Sequence, residues 1–176
     1  MGLEGTTLVK SARKLIEISQ TIKGNPSPEK EGGYLTVNFN DNNLTHTIPL
    51  GKVPNDKALM YCRLSQLKPQ KLYEAWLNNP ELVSSYQIRN EDFGKWGMWG
   101  GGIIFPKPSI SQHYGPNTIG FSGHPEKIDE GISLISGMAA GWNHDKNFFN
   151  KVKEASNNPF LDEMLYEFNK FSENPL

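Results

Sequence analysis

The chain has 176 residues, which is enough for one domain with a sizeable hydrophobic core. Its formal net charge is -1, and its 18 basic and 19 acidic residues are mixed, so no broad field would attract nucleic acid or acidic lipid. No apolar run is long enough for a secretory signal or a membrane span. The single cysteine, Cys62, excludes an internal disulfide and a cysteine zinc site. The composition predicts a soluble, cytoplasmic protein without a nucleic-acid or membrane partner.

The first half of the chain predicts a helix, a β-hairpin and two more helices. Apolar residues recur at helical spacing before Gly24-Asn25-Pro26, whereas "YLTVNFN" and "LTHTIPL" alternate with the period of two that is typical of half-buried strands. Pro49 favours an edge position for the second strand. The predicted elements are a helix from Thr6 or Thr7 to Ile22, strands over 34–40 and 44–50 joined by a turn at 41–43, a helix from Pro54 to Leu67, and a helix from Pro69 that Asn78-Asn79-Pro80 breaks.

The second half predicts two short strands and three helices. Ile128, Ile132, Ile135 and Ala139 are spaced by four, three and four residues, which indicates a helix with one face directed to the core. The predicted elements are paired strands over Ile103 to Phe105 and Thr118 to Phe121, a helix that ends at Gly141, and a final helical pair over Asp145 to Ala155 and Pro159 to Phe171. This pair is interpreted as a C-terminal extension, because about thirty residues rarely form their own core.

The stretch "IGFSGHPEKIDEG", which begins at Ile119, lies where a strand passes into a helix. Its G-x-S-x part is similar to a nucleophile elbow, but His124 stands where that motif needs a glycine. An anion cradle at the helix start is disfavoured by Glu126, Asp129 and Glu130, which already complement the helix dipole. The simplest interpretation is a turn in which Pro125 begins the helix.

The same stretch, continued to "ISLISGMAA" and preceded by "GGGII", resembles the C-terminal signature of the GlcG/HbpS-like (DUF336-type) haem-binding family. The resemblance covers roughly Thr6 to Gly141 and is strongest in its last forty residues. It implies an α+β, profilin-like fold, in which an antiparallel sheet is flanked by helices, and a homo-oligomer, either a dimer or a larger assembly. It also implies haem or a related small molecule as ligand. The predicted division is a domain over 1–142 and a helical extension over 143–176.

Two groups of residues are candidates for binding the ligand. Phe93, Trp96 and Trp99 alternate with glycines and could form an aromatic wall for a flat ligand, or a packed loop or subunit contact. The polar candidates are His46, Ser122, Gly123 and His124. His46 shares a strand face with Leu44 and Ile48, which is typical of a core histidine or an axial ligand.

Two other functions stay open from the sequence. The first is an enzyme in which His124 with Glu126 or Asp129 supplies an acid and a base. The second is a purely structural or assembly role with tryptophans buried between subunits. The four histidines show no metal-binding spacing, so no metal site is predicted.

Overall fold

The computed structural model describes residues 3–39, 44–89, 99–106, 115–172 and 176. The elements, in chain order, are α1 (Leu3–Ser19), β1 (Gly32–Phe39), β2 (Leu44–Gly51), α2 (Asn55–Trp76), a 3-10 helix (Ser85–Ile88), β3 (Gly102–Phe105), β4 (Asn117–Ser122), α3 (Glu126–Ala139), α4 (Lys146–Ser156) and α5 (Leu161–Phe171). The described strands form one antiparallel sheet in the order β2-β1-β4-β3. The predicted α+β class, an antiparallel sheet flanked by helices, is confirmed.

The sheet is covered by helices on both faces. Leu35, Ile103 and Ile119 pack with α1 and α3 in the main hydrophobic core. Ile104 points to the other face and packs with Leu72 of α2. This alternation follows from the period-two geometry of the strands. Both predicted strand pairs are confirmed, and β2 is an edge strand, as Pro49 indicated; the predicted turn at 41–43 lies outside the described residues.

The first helix begins and ends earlier than predicted, at Leu3 and Ser19 rather than at Thr6 or Thr7 and Ile22. Its end is fixed by polar contacts that apolar spacing does not reveal. The Ser19 hydroxyl donates to the Ile16 carbonyl at 2.7 Å, and the Asn25 side chain donates to the Ser19 carbonyl at 2.7 Å. Ile22 is nevertheless buried, beyond the helix.

The prediction of two helices over 54–77 is wrong, because α2 is continuous and contains Pro69. Proline has no N–H for the carbonyl four residues earlier, here Ser65, and its ring crowds that turn. Both groups pack against Gly120 of β4, where a Cβ atom would lie 2.4 Å from Pro69 Cδ and 2.5 Å from the Ser65 oxygen. The interrupted turn is therefore accommodated by close contact with a glycine in the sheet.

The last three helices are confirmed close to their predicted bounds, and Gly141 follows α3 with a φ of 86°. Val152 of α4 and Met164 of α5 are fully buried and belong to the same core as α1 and α3. The division between 1–142 and 143–176 stays a prediction. No helix among the residues described above is long and apolar enough to cross a membrane.

We expect Gly120→Ala to destabilise the fold by about 1–3 kcal/mol, because the added methyl group overlaps backbone and ring atoms of α2. Urea unfolding would measure the loss. Pro69→Ala is the matched control, since it adds no atom at the contact and restores an N–H for Ser65; it should change stability by less than about 1 kcal/mol. Equal stability of Gly120→Ala and the wild type would contradict the packing described.

Candidate functional site

A buried ion pair joins α2 to α3. Lys68 Nζ lies 2.7 Å from Asp129 Oδ2, and each side chain is only 2% exposed. Lys68 also donates to the Phe121 carbonyl at 2.7 Å, while Asp129 Oδ1 accepts from the His124 backbone N–H at 2.9 Å. The pair therefore fixes the end of β4, the turn after it and the first turn of α3 against α2.

Helical spacing and a glycine bring the two charges together. Ser65, Lys68 and Leu72 lie on the face of α2 that packs on the sheet. Gly101 passes directly beside the pair with a φ of 105°, and a Cβ there would lie 2.8 Å from Asp129 Cβ and 3.1 Å from Lys68 Nζ. Only glycine suits both this backbone conformation and this approach.

Burial raises the pKa of the Asp129 carboxyl above its ordinary value, because the charged form loses its hydration. The charge of Lys68, its hydrogen bond and the His124 N–H oppose that rise. Lys68 donates two hydrogen bonds, to Asp129 and to the Phe121 carbonyl, and both carboxylate oxygens of Asp129 accept one, so the charged pair is hydrogen-bonded as buried ion pairs require.

His124 is buried beside Ser19, with Nδ1 3.4 Å from the Ser19 hydroxyl oxygen. That hydroxyl already donates to Ile16, so the imidazole Nδ1 is the donor in the contact. Nε2 is then an acceptor, and it has no partner in the part of the chain that the structure describes. Burial, and secondly the charge of Lys30, lower the pKa of His124 to about 4, so the ring is neutral at pH 7.

The other two acids of this helix start face different partners. Glu126 pairs with Arg89 at 3.1 Å. Tyr86 lies close to this pair, and its pKa is raised mainly by burial and further by Glu126 and Glu130. Glu130 accepts hydrogen bonds from the Ser84 hydroxyl and, at 2.9 Å, from the Asn158 amide. Burial raises the pKa of Glu130, against the effect of these donors.

A cleft of about 420 Å³ opens next to this network, and we call it the lysine cleft. It lies between the segment before β1, the connection from β2 to α2, the first turns of α2 and the turn after β4. Its lining residues are Glu29, Lys30, Glu31, Gly32, Lys52, Val53, Pro54, Lys57, Tyr61 and Gly123. Within it Lys52 pairs with Glu31 at 2.8 Å, and Lys30 Nζ lies 5.7 Å from the centre of the Tyr61 ring.

Of the predicted ligand-binding residues that the structure describes, only Gly123 lines the lysine cleft. Ser122 and His124 are buried directly beside it in the chain. His46 is exposed at the sheet edge, and the interpretation of it as a core histidine is wrong, because β2 is an edge strand whose first three residues are exposed. His46 is opposite Val37 and Ser122 is opposite Tyr34, on the two sides of β1, so they are three residues apart along the strand direction and two strand spacings apart, about 14 Å in all.

The predicted aromatic wall falls largely on residues without a described structure. Phe93 and Trp96 lie outside the described residues. Trp99 is half-buried, and its carbonyl accepts a hydrogen bond from the Ser85 hydroxyl at 2.8 Å. The adjoining glycines approach the buried ion pair and Tyr86 rather than an open cavity.

Sequence reasoning missed the lysines of the site. Lys68 precedes a proline in a helix and pairs with a residue 61 positions away, so no local pattern reveals its burial. A signal for the lysine cleft does exist in the sequence, since Lys52 and Lys57 flank a helix start at Pro54. Lysines so close to the positive end of a helix dipole are unusual for stability alone.

We expect Lys68→Met to destabilise the protein by about 3–5 kcal/mol, since it leaves Asp129 charged or protonated without its partner. The double variant Lys68→Met/Asp129→Asn should recover much of that loss, because the amide still accepts from His124. The control is Lys71→Met, which breaks an exposed pair of the same 2.7 Å length to Glu74 and should cost less than about 1 kcal/mol. Chemical unfolding of all four proteins measures the coupling; equal losses for Lys68→Met and Lys71→Met would contradict it.

The folding free energy should depend on the protonation of His124. An unfolded histidine binds a proton below about pH 6.5, whereas the folded protein resists protonation until about pH 4. Acidification across that window therefore favours the unfolded state, by on the order of 3 kcal/mol in full.

We expect His124→Gln to lose less stability than the wild type between pH 7 and pH 4, as urea unfolding at each pH would measure. The raised pKa values of Asp129 and Glu130 have the opposite effect, since acidification then favours the folded state. Both carboxyls are present in the wild type and in His124→Gln, so they do not change the difference in stability between the two proteins. The exposed His144→Gln is the control. Identical pH dependence of His124→Gln and the wild type would show that the buried ring does not resist protonation.

Comparisons with known proteins complete the description of the site. No protein-family model and no curated protein sequence matches the chain. Among solved structures, the chain is similar to the Klebsiella pneumoniae protein ORFY, whose title gives the family model DUF336. The identity is 12%, the TM-score is 0.46, and the match covers 76% of this chain and 89% of the other. A likeness of this size carries no argument about function, which must be inferred from the chain's own residues.

Proposed function

We propose that this protein binds a small molecule in the lysine cleft. The observation that carries the proposal is the cleft itself: about 420 Å³, with three lysines converging on it and the buried Tyr61 as a wall. Cavities of this size that combine an apolar wall with a few convergent polar groups are typical ligand sites. The resemblance seen in the sequence also favours a small-molecule binder.

The buried ion pair fixes the positions of residues that line the lysine cleft, and this supports binding. Tyr61 lies on α2, two turns before Lys68, and Gly123 lies in the turn whose next backbone N–H bonds Asp129. The buried ion pair therefore fixes two walls of the lysine cleft relative to each other. A cleft whose walls are fixed before the ligand arrives loses less conformational entropy on binding.

For haem, the ligand that the resemblance implies, the described residues that line the lysine cleft supply no histidine ligand. A haem site needs an axial ligand beside a slot wide enough for the macrocycle. The cavity beside His46 is only about 10 Å³, and none of the residues that line the lysine cleft is a histidine. His124 is 6% exposed, His144 lies on the surface, and His113 lies outside the described residues. The geometry of the described part favours a smaller, polar ligand.

The enzyme hypothesis has less support than binding. An acid or a base must come within hydrogen-bond reach of its substrate. In the structure His124 and Asp129 are buried, and Glu126 is held by Arg89 away from the lysine cleft. Catalysis by this turn, like homo-oligomerisation and cytoplasmic localisation, stays a prediction.

The proposal is tested by filling the lysine cleft. We expect Val53→Trp, at a half-buried lining residue, to abolish retention of any small molecule that co-purifies with the wild type from its own cells. Native mass spectrometry, followed by denaturing conditions, measures the retained mass. Leu59→Trp is the matched control, because Leu59 lies six residues further along the chain, on α2, is 82% exposed and does not line the cleft. A ligand mass retained equally by Val53→Trp, with unchanged thermal stability, would place binding elsewhere.

A further inference from the structure

The charge of the lysine cleft differs in sign from that of the whole chain. Three lysines and two glutamates line it, so three positive less two negative charges leave +1, against -1 for the protein. One glutamate, Glu31, is already neutralised by Lys52 at 2.8 Å. The ammonium group of Lys57 has no hydrogen-bond or ion-pair partner among residues 3–39, 44–89, 99–106, 115–172 and 176.

The start of α2 adds positive potential at the same place. This helix of 22 residues begins at Asn55, and its N-cap, Pro54, forms no side-chain hydrogen bond to the first turn. Pro54 and Lys57 both line the lysine cleft, whereas Asp56, the acidic residue of this first turn, does not. Backbone N–H groups at a helix start and a nearby ammonium group together favour an anion.

An apolar wall and a second lysine complete the arrangement. Tyr61, one turn after Lys57, is 7% exposed, and its ring lies below Lys30 Nζ at 5.7 Å. The ring can pack against a carbon skeleton while Lys30 and Lys57 contact charged oxygens at either side. The lining thus combines cationic groups with a short apolar surface.

We propose, as an extension of the binding function above, that the lysine cleft takes a small organic anion, with a carboxylate or phosphate group held by Lys57 and the start of α2. Lys30 contacts the same group or a second one. The first turn of α2 carries one acid, Asp56, which does not line the lysine cleft, whereas the first turn of α3 carries Glu126 and Asp129.

The test is a titration with inorganic phosphate and with malonate, which present the same charged oxygens on different chemical groups, and with glycerol as an uncharged compound. We expect both anions to shift the amide NMR signals of Gly32, Val53 and Gly123, with no shift for glycerol. The tighter of the two anions identifies the preferred group. Lys57→Gln should weaken the binding of that anion by about tenfold, since hydrogen bonds to charged groups contribute about 1.5–3 kcal/mol.

Two further variants separate a built site from general surface charge. Lys71→Gln removes an equal charge from the same helix outside the lysine cleft and should leave the anion affinity unchanged. Glu31→Gln releases Lys52 from its ion pair and should tighten binding about threefold. General surface charge also predicts opposite effects for the loss of a glutamate and the loss of a lysine, so the comparison of Lys57→Gln with Lys71→Gln is the one that identifies a built site.

The inference is overturned if neither anion shifts these signals at millimolar concentration, or if Lys57→Gln and Lys71→Gln weaken binding equally. After either result, the proposed function is still supported if Val53→Trp removes a ligand that co-purifies with the wild type. That ligand would then be uncharged or cationic. If the anions bind the wild type and Val53→Trp equally, both proposals fail together. Circular dichroism and thermal melting of each variant distinguish these results from misfolding.

Discussion

The ion pair between Lys68 and Asp129 is the interaction on which the rest of the site depends. It lies where α2, β4 and the start of α3 meet, and every polar atom of its carboxylate has a partner. Removing one partner of a buried ion pair destabilises a protein strongly, yet replacing both partners by apolar residues is often tolerated. The main contribution of the Lys68–Asp129 pair is therefore to the geometry of the site rather than to the net stability of the fold. Here the geometry that it fixes is the relative position of α2 and the turn at Gly123.

Close packing at glycines is the second condition for that arrangement. Gly101 leaves room for the ion pair, and Gly120 leaves room for the proline turn of α2. A helix with an internal proline would ordinarily end there, because a carbonyl loses its donor and the ring crowds the preceding turn. The sheet and the helix approach closely enough at Gly120 to enclose that turn, so the continuity of α2 depends on a residue 51 positions away from Pro69.

Much of the fold followed from local patterns, whereas most of the site did not. The period of two around Leu35 and the spacing from Ile128 to Ala139 predicted β1 and α3, because burial on one face imposes those periods directly. Lys68 and His124 are different, since their environments are set by residues distant in sequence. A lysine and an imidazole carry no local sign of being buried, and Pro69 actively indicated a helix boundary that tertiary packing overrides. The lysine cleft likewise arises from three stretches of the chain, 29–32, 52–61 and Gly123, that only the topology brings together.

The cleft and the buried network also act on each other through charge. Lys30, a lining residue, lowers the pKa of both Asp129 and His124 beneath it, so its charge favours an ionised carboxylate and a neutral imidazole. The ionised carboxylate is the state in which Lys68 keeps a charged partner, whereas His124 Nδ1 can donate to Ser19 in either protonation state of the ring. An anion bound near Lys30 would offset the positive potential of Lys30. The ionised Asp129 carboxylate would then be stabilised mainly by the two groups that contact it directly, Lys68 and the His124 backbone N–H.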